Sequence, residues 1–125
     1  MSRDNLIVLA VDDDMINLKL LKSMLMKHEK IIEVVEAKNG SDAIGVLKSR
    51  DDIDLILLDI IMPVMGGIEM LKVVRADDNL RQLPIIVLTT DETKKSEALE
   101  VGANGFLMKP IRNADLMAKI ATVIL

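Results

Sequence analysis

Four places in the chain put oxygen-rich or cationic side chains directly after an apolar run. Asp12, Asp13 and Asp14 follow residues 6–11, and Asp59 follows 55–58. Thr89 and Thr90 follow 85–88, and Lys109 follows 105–108. Carboxylates held close together repel one another unless something compensates them. Such oxygen-rich clusters suit a hard divalent cation, and Mg²⁺ characteristically takes one or two carboxylates together with phosphate oxygens and water. Lys109 adds a positive charge for a further anion, and Thr89 adds a hydroxyl donor. An aspartate in that setting is itself a nucleophile able to form a covalent phosphoryl intermediate, with cation and lysine stabilising the transferring oxygens. Any one of these residues alone reads as a solvated turn former; four such positions after four apolar runs read as one site.

The elements that must position them alternate. Five runs have β character, at 6–11, 31–35, 55–58, 85–88 and 105–108. The first, third and fourth are almost continuously apolar, as parallel strands covered on both faces are. Helical spacing lies between them. Ile16, Leu20, Leu21, Met24 and Leu25 predict a core-facing stripe on the first helix, with Lys19, Lys22 and Lys27 toward water. The second helix is expected over 41–48 after the Asn39-Gly40 turn, weakened by Gly45. The third starts near Gly67 and buries Met70, Leu71 and Val74, while the fourth lies within 92–101 and closes at Gly102. Thr90-Asp91-Glu92 supplies acceptors for the fourth helix's free N–H groups. The last begins near Asn113 and buries Leu116, Ile120 and Val123 or Ile124. Five repeats of strand and helix predict an α/β, doubly wound, five-stranded parallel sheet with helices on both faces. In such sheets ligands bind beyond the carboxyl ends of the strands, where all four polar positions fall.

Length and composition narrow the function. The 125 residues fit one domain, 1–125, and the absence of cysteine removes disulfides, thiol nucleophiles and cysteine metal sites. A net charge of -4 gives no broad nucleic-acid surface. Phe106 is the one aromatic residue, which opposes base-stacking platforms and a ring-sandwiched flavin. The N-terminal apolar stretch is too short for a membrane span or signal sequence, so no membrane insertion is expected and a cytoplasmic location is. The nine methionines read as core filling.

Together, residues 6–14, then Leu57-Leu58-Asp59-Ile60-Ile61-Met62-Pro63, then Val87-Leu88-Thr89-Thr90 and Met108-Lys109-Pro110, closely resemble the response-regulator receiver family, chemotaxis regulators among them. The match runs from residue 6 to about 120 in the family's order and spacing. The resemblance implies the flavodoxin-like strand order 2-1-3-4-5 and a two-component phosphorelay role. It makes Asp59 the phosphoacceptor, with Mg²⁺ bound by Asp12, Asp13, Asp59 and the backbone carbonyl of Ile61. Thr89 would contact a phosphoryl oxygen and Lys109 the acyl phosphate, with a cis Lys109-Pro110 bond orienting the lysine. The implied donor is the phosphohistidine of a sensor histidine kinase or histidine phosphotransfer protein; small acyl phosphates substitute in the family. Such a chain takes chemical part in its own phosphorylation and dephosphorylation without being a metabolic enzyme.

The resemblance further implies that phosphorylation draws Thr89 toward the phosphoryl group and turns Phe106 inward, changing the face made by the fourth helix, fifth strand and fifth helix. That face is the expected contact for a downstream protein, an output domain or a second copy. Phe106 lacks the hydroxyl many relatives carry there, and Gly66 replaces a side-chain cap before the third helix. Gly67 reads as a backbone requirement. Ile61 and Asp91 occupy positions that influence dephosphorylation in the family; apolar Ile61 opposes water attack and Asp91 favours it. Asp14 is expected to cap the first helix, His28 to be structural near that helix's C-terminal dipole, and Thr90 to affect entry to the pocket. A phosphoaspartate hydrolase is opposed by Ile60-Ile61-Met62-Pro63 after Asp59, and an electron carrier by the lack of aromatics. The serious alternative is a phosphorylation-independent, receiver-like protein-interaction module.

Overall fold

Apolar residues at consecutive strand positions point alternately to opposite faces, so a strand apolar throughout must be covered twice. The computed structural model, which describes residues 4–62 and 64–124, meets that demand. Met1–Arg3, Leu125 and Pro63 lie outside the described residues, including the Pro63 of the run after Asp59 and the first residues of the N-terminal stretch. The elements run β1 (Leu6–Val11), α1 (Met15–Leu25), β2 (Ile31–Ala37), α2 (Gly40–Ser49), β3 (Leu55–Asp59), α3 (Gly67–Ala76), β4 (Ile85–Thr89), a 3₁₀ turn (Glu92–Lys94), α4 (Lys95–Val101), β5 (Gly105–Met108) and α5 (Asn113–Ile124). All strand pairs are parallel, in the order β2-β1-β3-β4-β5. The central strands β3 and β4 are buried at every position, whereas the edge strands β2 and β5 are buried on part of their length.

Alternation divides the core in two. Leu9, Val11, Ile56, Leu58, Ile85 and Val87 pack under α2, α3 and α4 with Ala43, Leu47, Met70, Leu71, Val74 and Ala98. Val8, Ala10, Leu55, Leu57, Ile86 and Leu88 pack on the other face against Leu18, Leu21 and Leu25 of α1 and Leu116 and Ile120 of α5. Placing α1 on one face and α2 on the other lets the chain reverse direction at β1, which opens a crevice beyond the carboxyl ends of β1 and β3.

The α1 stripe needs correction. Leu18, Leu21 and Leu25 are its buried residues, while Ile16 and Leu20 are 69% and 60% exposed. Apolar residues occupy more than one face of this helix, so spacing alone left its rotation open. The rotation follows from the packing of Leu18, Leu21 and Leu25 on the sheet, and the helix starts at Asp14, which accepts hydrogen bonds from the N–H groups of Ile16 (2.8 Å) and Asn17 (3.4 Å). Asp14 is thus the cap the sequence implied. His28 plays a structural role: its Nδ1 accepts from the Lys30 N–H at 3.1 Å, closing the turn into β2.

The opposite end of the sheet is held by Arg75, in the last turn of α3. Its guanidinium donates to the carbonyls of Gly102, Arg81 and Leu83 and to Asn104 Oδ1, at 2.8 to 2.9 Å. Burial pulls its pKa down, and a guanidinium tolerates this because five donors can be met in one plane. The clamp ties α3 to the C-cap of α4 and the start of β5, where Gly102 at φ 124 closes the helix.

Gly45 is a weakness of a different kind. It lies exposed within α2, and a Cβ there would meet nothing within 4 Å. Gly45→Ala is expected to stabilise the fold by about 0.5–1 kcal/mol, by restricting the unfolded chain and favouring helix. An unchanged or lowered urea midpoint would contradict this.

Candidate functional site

The four polar positions meet at the crevice. Asp12 follows β1, Asp59 ends β3, Thr89 ends β4, and Lys109 follows β5. Asp12, Asp59 and Thr89 are the buried polar residues among those described, only 3%, 7% and 1% exposed. Asp12, Asp13 and Asp59 each bring a carboxylate oxygen within 4.8 Å of the others, with Asp13 on the solvent side. Lys109 Nζ lies 2.9 Å from Asp12 Oδ2 and 3.6 Å from Asp59 Oδ1. One ammonium faces a three-carboxylate cluster, so the site keeps an excess of negative charge. That donor set suits a hard divalent cation.

Electrostatics record the imbalance. Burial pushes the Asp59 pKa above its ordinary 3.8; Lys109 opposes the shift, Asp12 and Asp13 add to it, and a backbone hydrogen bond from Ile61 lowers it. The Lys109 pKa is raised: burial alone would lower it, but its hydrogen bond to Asp12 and its attraction to Asp59 outweigh that cost. The lysine is therefore a fixed cation at neutral pH.

Backbone devices hold these groups. Asp12 Oδ1 accepts from the Asp14 N–H at 2.9 Å, which aims the other oxygen at Lys109. Lys109 N–H donates to the Thr89 carbonyl at 2.8 Å, and the following Lys109-Pro110 bond is cis, as the resemblance implied. Gly67 permits the closest approach in the site: a Cβ there would stand 2.4 Å from the Asp59 carbonyl oxygen and 2.7 Å from Ile60 Cα. Any side chain would push α3 away from Asp59. Gly66 caps α3 with no side-chain bond, as its identity dictates.

Other singled-out residues lie around this centre. Thr89 Oγ1 accepts from the Asp91 N–H at 3.2 Å. Thr90 is exposed at the rim, and Ile61 is exposed with its backbone at the Asp59 carboxylate. Phe106 is half-buried against the core under α3 and α4, with the Lys95 ammonium 5.9 Å from its ring centroid. A groove of about 460 Å³ continues from Asp12 and Lys109 between α1 and the loop after β5, walled by Leu20, Leu21, Met24 and Ile111. Apolar spacing places Leu20 in the core, whereas it is exposed and walls this groove. Val64 stands at φ 66 in the loop after Asp59, a conformation that costs a β-branched residue about 1–2 kcal/mol. No periodic signal in the sequence marks either feature.

A doubly wound α/β sheet with acidic groups, a hydroxyl and a lysine gathered at its topological switch point defines a recognisable class. The family model of the response regulator receiver domain matches residues 8–121, and the chain belongs to that family. It is 34% identical over 118 residues to chemotaxis protein CheY-3 of Vibrio cholerae serotype O1, covering 93% of this chain and 89% of that protein. It is 39% identical over 123 residues to hybrid signal transduction histidine kinase M of Dictyostelium discoideum, covering 94% of this chain but only 5% of the kinase. Among solved structures, the receiver domain of sensor histidine kinase PA1611 from Pseudomonas aeruginosa PAO1 superposes with a TM-score of 0.85 at 28% identity, covering 96% of this chain and 98% of that one. That receiver was crystallised with a magnesium ion in its active site cleft.

The raised Asp59 pKa has a signed consequence. Folded Asp59 binds its proton more tightly than the unfolded chain does, so stability falls as pH rises from 3.8 through the folded value. Without divalent cations, Asp59→Asn should therefore unfold at higher urea than the native chain at pH 7. The gap should narrow as pH falls toward 3.8, where native Asp59 is protonated too. A variant less stable at pH 7 would mean that the Lys109 attraction outweighs burial.

Proposed function

We propose that this receiver accepts a phosphoryl group on Asp59 from the phosphohistidine of a sensor histidine kinase or histidine phosphotransfer protein. The observation that carries the reading is a buried Asp59 carboxylate facing one fixed ammonium and two further carboxylates at the sheet's switch point. Asp12, Asp13, Asp59 and the Ile61 carbonyl would hold Mg²⁺, in keeping with the acidic cluster and with the magnesium of the Pseudomonas receiver. Bound there, the ion supplies charge neutralisation at the transferring oxygens.

The chain's own residues do the rest. One oxygen of Asp59 attacks phosphorus while the donor's P–N bond breaks and its electrons return to the imidazole. Lys109, cationic and anchored by Asp12, neutralises charge on the acyl phosphate. Thr89 accepts from the Asp91 N–H through a lone pair, so its own O–H is available to a phosphoryl oxygen. The apolar groove beginning at Asp12 and Lys109, beside exposed Met15, Ile16 and Leu20, gives a protein donor surface to bury next to the reacting atoms.

Movement of Thr89 and Phe106 would then pass to the surface of α4, β5 and α5, the contact for a downstream protein, an output domain or a second copy. The full 125 residues form one receiver unit in this reading. No helix among the described residues is long and apolar enough to cross a membrane, in keeping with a cytoplasmic site of action.

Intact mass after incubation with a small acyl phosphate tests the reading. We expect one phosphoryl adduct that requires Mg²⁺ and is lost in Asp59→Asn. No adduct in folded, rapidly sampled protein would favour a phosphorylation-independent interaction module.

A further inference from the structure

The loop leading from Thr89 into α4 carries a carboxylate that phosphoryl transfer does not use. Asp91 is half-buried, and its N–H is tied to the Thr89 hydroxyl at 3.2 Å, so its backbone sits beside the reacting centre. Its side chain is committed elsewhere. Asp91 Oδ1 accepts from the Thr93 N–H at 2.9 Å and also from the Thr93 hydroxyl, capping the Glu92–Lys94 turn. The Thr93 hydroxyl, then the Thr93 N–H, hold the Asp91 pKa below its ordinary 3.8.

An acyl phosphate on Asp59 is lost by hydrolysis. A water oxygen attacks phosphorus, the bond from phosphorus to the Asp59 oxygen breaks, and carboxylate, inorganic phosphate and one proton to solvent result. A carboxylate that accepts a hydrogen bond from that water fixes its approach and speeds the attack. Two residues have their backbones at the centre, Ile61 two positions past Asp59 and Asp91 two past Thr89. The Ile61 side chain is exposed and has no acceptor, while Asp91 carries a carboxylate whose direction Thr93 fixes by holding Oδ1 against the Glu92–Lys94 turn.

Resting on the function proposed above, we infer that Thr93 is a positioning residue that withholds Asp91 from the hydrolytic water and thereby lengthens the life of phosphorylated Asp59. The lifetime is then set at the entry to α4 rather than by the lack of a suitable carboxylate. A contact that opened the Glu92–Lys94 turn would release Asp91 and shorten the signal, linking hydrolysis to the same helix that the output surface uses.

The test compares the native chain with Thr93→Val, Thr93→Ala, Thr93→Ser and the pair Thr93→Val with Asp91→Ala. Each is phosphorylated with a small acyl phosphate and Mg²⁺, freed of donor by rapid desalting, and followed by intact mass; thermal melts verify folding. Thr93→Val and Thr93→Ala remove the hydroxyl but leave the backbone bond, and should shorten the half-life on the order of fivefold, one hydrogen bond's worth. Thr93→Ser keeps the donor and should stay within about twofold of the native chain. Asp91→Ala, added to Thr93→Val, removes the acceptor and should abolish the acceleration. Unchanged decay in both hydroxyl-less variants, or acceleration that survives Asp91→Ala, overturns the inference while leaving the phosphoacceptor reading standing. A native chain that forms no Asp59-dependent adduct overturns both.

Discussion

Repulsion among three carboxylates, incompletely offset by one lysine, is the constraint around which this molecule is organised. Asp12, Asp13 and Asp59 stand within 4.8 Å of one another, with Lys109 reaching Asp12 at 2.9 Å and Asp59 at 3.6 Å. A fold chosen for stability alone would separate such groups or bury an apolar residue instead. Here the unfavourable arrangement is retained at the buried end of β3, where burial first, and Asp12 and Asp13 after it, push the Asp59 pKa up. Local rules broken in a well-packed setting mark function.

What tolerates the repulsion is rigidity below and around it. Two apolar layers, one on each face, leave β3 and β4 no freedom to retreat. Gly67 lets α3 start against the Asp59 carbonyl, and the Asp12–Asp14 hydrogen bond fixes the acidic pocket to the cap of α1. At the far end, Arg75 holds α3, β4 and β5 together through carbonyl acceptors. Between these fixed points the segment from Thr89 to α4 is the lightly held part: a 3₁₀ turn followed by a helix with one buried residue, Ala98. A switch placed there would have one fully buried α4 residue, Ala98, to carry with it.

Much of this was legible in the sequence because strand burial and site chemistry both leave local marks. The continuously apolar runs located β1, β3 and β4 to within a residue at their ends, and the polar residue after each run identified the crevice. Less legible was anything set by packing across distance. The α1 stripe was rotated, exchanging Leu18 for Ile16 and Leu20, because that helix has more apolar residues than one face can hold. The Arg75 clamp gave no signal, since its partners are carbonyls rather than carboxylates. The commitment of Asp91 to Thr93 depends on side-chain direction, which spacing does not encode.

The central claim is that the crowded carboxylate at the end of β3 is the one that reacts. Borohydride trapping tests it most directly, because it reduces an acyl phosphate to an alcohol and marks the residue that carried it. After treatment with a small acyl phosphate and Mg²⁺, peptide mass analysis should find that reduction at Asp59 alone, dependent on both reagents. Reduction at Asp12 or Asp13, or an Asp59 untouched while phosphate is carried elsewhere, would contradict the account.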